Sequence, residues 1–156
     1  MTVQEPTTRR TGASSGRMRT ARVLAVLGTT LTGIPIAAPV VLAAVSLLVA
    51  QHWRFDYLLP GELVVPAATG GAALLAASLV ARRARVAVCC AANAAALFFV
   101  LVGVIANATG LATGAAPAEG PALIAVAAVY VGYVLSVVAM FAVGVVLCGS
   151  LFGRRV

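Results

Sequence analysis

The chain has 156 residues, 62% hydrophobic and 10% charged, with a mean hydropathy of +1.08 and a net charge of +7. A soluble domain usually carries about 25% charged residues, so this composition excludes an ordinary water-facing surface and makes lipid the solvent. All eleven basic residues are arginines in short clusters between apolar runs, with no basic helix face; that pattern excludes a nucleic-acid partner and matches topogenic charge.

Arginine without lysine, beside so much Ala, Val and Gly, points to a GC-rich bacterial genome. Residues 1–21, MTVQEPTTRRTGASSGRMRTA, are polar, basic and Ser/Thr/Gly-rich. They carry too little apolar surface to fold alone, which predicts a flexible basic cytoplasmic tail. Arg9-Arg10 is followed by Thr-Gly-Ala rather than an apolar residue. Topogenic charge therefore explains the pair better than a twin-arginine export signal.

Residues 22–156 are expected to form one membrane domain with spans near 23–50, 63–81, 86–106 and 121–152. The first apolar run, Val23 to Ala50, far exceeds the roughly 7–15 residues of a signal-peptide core. As a helix it would reach roughly 42 Å, against a hydrocarbon core of roughly 30 Å. Tilt, a bend or ends in the headgroups must absorb the excess. Pro35 and Pro39 lie mid-run, and each removes a backbone donor.

The loop 51–62, QHWRFDYLLPGE, holds the only histidine and the only tryptophan. His52, Arg54 and Asp56 alternate with Trp53, Phe55 and Tyr57. In an extended strand the three rings share one side; in a helix His52 and Asp56 become neighbours. Either way the aromatics suit a membrane interface. Glu62 falls where a negative charge complements a helix N-terminus. The loop is a candidate recognition surface for a partner or lipid headgroup, with a plain interfacial anchor as the simpler role. Catalysis by His52 with Asp56 lacks a nucleophile and a pocket.

The second span contains Pro66, Gly70 and Gly71, and Ala67 with Gly71 forms a small-xxx-small pair. Arg82, Arg83 and Arg85 end it. The third span carries Cys89, Cys90 and Asn93. Asn93 is expected to bond to a neighbouring helix or to mark a substrate path. The cysteines lack both a CxxC spacing and a metal-ligand pattern and are expected to pack as small apolar groups. A Gly/Thr/Pro connector, 107–120, leads to the fourth span, where Pro121 suits the first helical position. Ala128, Gly132, Ser136, Met140, Gly144 and Cys148 recur every four residues, a seam suited to close packing. Tyr130 and Tyr133 need hydroxyl partners in hydrocarbon, for which Asn107, Thr109 or a backbone carbonyl are candidates.

A four-span count places ten arginines on one side and only Arg54 on the other. This predicts an all-α, antiparallel four-helix bundle, multi-pass in the cell membrane, with both termini cytoplasmic. No Asp, Glu, Lys, Arg or His falls within a span, which argues against proton-coupled transport by this chain alone. The expected role is interaction, as an accessory subunit or scaffold, without catalysis, cofactor or metal. Its partners would be anionic lipids at the arginines and either another membrane protein or further copies of itself. The alternative is an oligomeric transport or channel component with pore polarity from Asn93, Ser136, Tyr130 and Tyr133. A polar interior cavity would favour transport; a solid small-residue interior would favour the scaffold.

Overall fold

The computed structural model describes residues 10–49, 60–115, 117 and 119–153. It is all-α among these residues, with helices α1 (Arg10–Val49), α2 (Pro60–Ala81), α3 (Arg85–Ala108) and α4 (Gly120–Phe152). All four are long and apolar enough to cross a membrane. The expected loop residues His52, Trp53, Arg54, Phe55, Asp56 and Tyr57 lie outside the described residues, and Glu62 falls in the first turn of α2.

Helix α1 begins at Arg10, so residues 10–21, expected in the polar tail, are helical. Propagating a helix outward from a packed segment avoids the cost of a new nucleus, so modest propensity suffices. The extension is also anchored, since Ala21 and Ala25 are fully buried.

Helix α1 packs along α2 and α4, α3 packs mainly on α4, and α2 touches α3 only sparsely. Among the described residues, α1 and α3 do not meet. Close approach between α1 and α2 depends on Gly28 and Gly70. On α4 the seam packs as spaced over its later turns, with Ser136, Met140 and Gly144 buried. Gly144 faces Thr29 and Leu74, whereas Gly132 faces the Phe98 ring. Ala128, at the early end of the seam, is exposed. Of the small-xxx-small pair on α2, Ala67 is buried and Gly71 receives Met140 of α4; Gly70, outside the pair, meets α1.

The packed core comprises Ala21, Ala25, Leu74, Ala77, Val88, Met140, Leu147 and Leu151. It sits toward the end where the arginines gather. Neither α2 nor α4 has a basic residue in its own last turn. Arginines from elsewhere satisfy their terminal carbonyls instead. Arg22 Nε donates to Leu151 O at 3.0 Å, Arg83 Nη1 to Ser150 O at 3.0 Å, and Arg85 Nη2 to Leu79 O at 3.1 Å. The Arg22 guanidinium also lies 5.2 Å from the Phe152 ring centre. A cation at a helix C-terminus both complements the dipole and occupies an orphan acceptor.

The α2–α3 connection is short and wound tightly. Arg82 and Ala84 take left-handed φ values of 55° and 52°. Arg83 N–H reaches back to Ser78 O at 3.3 Å, the six-to-one bond of a Schellman ending. A β-carbon in this backbone region is disfavoured by roughly 1–2 kcal/mol.

Candidate functional site

Away from the packed end, the bundle opens around Tyr133. The Tyr133 ring lies 5.9 Å from Phe99 of α3 and 6.3 Å from Tyr130, centre to centre. Three cavities meet at this aromatic group. One, of about 310 Å³, lies between the small residues of α2 and α3, including Ala67, Gly71, Ala92 and Ala95, with Tyr133 and Met140 of α4 closing it. A second, of about 210 Å³, is bounded by Pro35, Pro39, Leu63, Tyr130 and Tyr133. A third, of about 660 Å³, runs along Phe99, Gly103, Asn107 and the two tyrosines.

Sequence explains why space remains here. The facing walls of α2 and α3 are largely alanine and glycine, whose short side chains cannot fill the gap. Phe99 of α3 and Tyr133 and Met140 of α4 complete the lining. Pro35 and Pro39, singled out as a possible bend, line the neighbouring cavity.

Of the four intramembrane polar candidates, only Tyr130 and Tyr133 come together. Ser136 is buried, and its hydroxyl donates to Gly132 O at 2.8 Å on its own helix. Asn93 is exposed on the outer side of α3, and its amide donates to Cys89 O at 2.8 Å. The expectation that it bonds to a neighbouring helix of the bundle is therefore not met. The suggested tyrosine partners also turn elsewhere: Asn107 donates to Gly103 O at 2.7 Å, and Thr109 to Ile105 O at 2.7 Å. Both tyrosine rings are left to the cavities they line.

The three cysteines are free thiols. Cys148 Sγ lies 3.5 Å from Thr29 Oγ1 in the α1–α4 contact, consistent with a packing role, while Cys90 is exposed. Sequence reasoning missed Phe99 as the third member of the aromatic group. Its neighbour Phe98 occupies the space opposite Gly132. The adjacent pair of rings in α3, facing a glycine-bearing helix, was the available signal.

Chemically, the site offers apolar walls, two phenol groups and, along the third cavity, the Asn107 side chain. It suits an acyl chain or an apolar molecule carrying one hydrogen-bonding group better than a hydrated ion, which needs a shell of polar ligands. Compared with protein families, curated proteins and solved structures, the chain matches none.

Proposed function

We propose that this protein is a small integral protein of the bacterial cell membrane that acts by interaction, as an accessory subunit or scaffold. It would be an antiparallel four-helix bundle with both termini in the cytoplasm. The loop 51–62 would be its outer contact surface and the clustered arginines its contact with anionic headgroups. Orientation is supported by the ten-to-one arginine asymmetry. The antiparallel arrangement is supported by Arg22 and Arg83 both reaching the last residues of α4.

One observation carries the interaction reading. Polar side chains within the spans turn back on their own helices: Thr32 on Gly28, Ser78 on Leu75, Asn93 on Cys89 and Ser136 on Gly132. None of these four lines the cavities around Tyr133, whose polar lining is limited to Asn107 and the two tyrosines. A conduction path for ions or polar solutes needs such groups to converge. A second reading, an oligomeric transport component, draws on those cavities and would take an apolar cargo.

The test is purification of the tagged full-length protein from native membranes, beside the Arg54→Glu variant. The interaction reading expects a stoichiometric partner, either a second membrane protein or another copy. An outer-loop contact expects Arg54→Glu to lose a partner that the wild type holds, with melting temperature unchanged. A strictly solitary protein would defeat the reading. If Tyr133→Ala abolished movement of an apolar probe across vesicles, the transport reading would replace it.

A further inference from the structure

Helix α3 is the least covered of the four, with only Val88 and Ala95 buried. On the opposite side, Val86, Cys90, Asn93, Leu97, Val100 and Val104 are all exposed. Their spacings alternate four and three, the repeat by which one helix keeps a single face against a partner helix. The stripe is apolar but for Asn93. Counting about 1.5 Å per residue, Asn93 sits roughly 12 Å beyond Arg85, deeper than a headgroup layer anchored at that arginine.

Asn93 differs from the exposed threonines of other helices. Thr30 and Thr69 direct their single hydroxyl donors to Val26 O and to Val65 O. A carboxamide has two N–H donors and an acceptor oxygen. The bond to Cys89 O uses one donor, leaving a donor and an acceptor facing hydrocarbon, where an unpaired polar group is costly. An asparagine is its own complement. Across a two-fold axis along the membrane normal, each Asn93 donates to and accepts from its counterpart.

We infer that the outer stripe of α3 is a self-association seam, pairing two copies of this chain through Asn93 against Asn93. This rests on the membrane-spanning, interaction-based reading above and names its partner: a second copy in the same orientation. The flanking apolar positions then pack on their own equivalents, with no charge in the stripe to oppose it. Cys90, one helical turn from Asn93 on the same stripe, meets its own counterpart as well.

The experiment uses the full chain in membranes, with Cys89→Ala and Cys148→Ala so that Cys90 is the one remaining thiol. Mild copper–phenanthroline oxidation should give a disulfide-linked dimer through Cys90. With Cys90→Ala added, Leu97→Cys should also cross-link, and Ala94→Cys, off the stripe, should not. In parallel, photobleaching step counts at high dilution in lipid measure the dimer fraction without any cross-link. Asn93→Leu should weaken dimerisation roughly three- to twenty-fold, the range expected for interhelical polar contacts in membranes. Asn93→Gln should retain more of it. Melting of the monomer should be unchanged, since Asn93 is exposed and its amide bonds within its own helix. Equal dimer fractions for wild type and Asn93→Leu would overturn the seam, as would cross-linking at Ala94 equal to that at Cys90. A monomer that instead captures a different membrane protein through Asn93 would overturn the second copy while leaving the interaction reading standing.

Discussion

Gly28 and Gly70 meet face to face where α1 crosses α2: a β-carbon on either would stand 2.9 Å from the carbonyl oxygen of the other. The backbones approach here because neither residue has a side chain. Helices in lipid associate through such close contact, since hydrocarbon tails are as apolar as leucine and supply no hydrophobic drive.

Gly28→Ala and Gly70→Ala should each destabilise the protein by about 1–3 kcal/mol, the usual cost of overpacking. The double variant should cost less than the sum, because the first methyl already separates the helices. Gly103 has open space around it. Gly103→Ala should be neutral or slightly stabilising, as alanine favours a helix interior. Thermal unfolding in detergent reads all four.

A size swap tests the α3–α4 contact. A β-carbon at Gly132 would lie 2.7 Å from the Phe98 ring. Gly132→Leu should therefore lower the melting temperature, and Phe98→Ala in the same chain should restore part of the loss. Val146, exposed on α4, should accept leucine without effect. An unchanged melting temperature for Gly132→Leu would mean the contact does not hold the helices together.

Arg22→Met should destabilise by about 1 kcal/mol, because it removes a cation and a donor from the C-terminus of α4 while keeping the aliphatic stem. High salt should shrink the difference between wild type and variant by screening the charge. A salt-independent difference would instead implicate the packing of the side chain against Phe152.

Ala84→Gly should raise stability by up to about 1 kcal/mol. Its left-handed φ costs alanine energy that glycine avoids, partly offset by glycine's freedom in the unfolded chain. Chemical denaturation in micelles would resolve a shift of that size. A loss of stability would show that the turn tolerates its β-carbon without strain.

Cysteine labelling tests orientation. In a cysteine-free background, Gly61→Cys and Ala118→Cys should react with an impermeant reagent on spheroplasts, and Ala84→Cys should not. Labelling at Ala84 from outside would reverse the topology drawn from the arginine asymmetry.

Four helices long and apolar enough to span a membrane were legible in the sequence because runs of uncharged apolar residues of this length have few other stable fates. The start of α1 was not legible, because a packed helix can extend into a polar segment that would not be helical alone. Spacing identified which residues of α4 share a face, and Ser136, Met140 and Gly144 are buried together. Only the tertiary structure decided that Asn93 points outward, that Phe99 joins Tyr130 and Tyr133, and that arginines from other elements cap α2 and α4. Periodicity says which side chains lie on one face, but a helix apolar on every side carries no mark of which face turns inward. In lipid that choice rests on shape, on a glycine opposite a ring or a glycine opposite a glycine, and shape complementarity exists only once the helices are assembled.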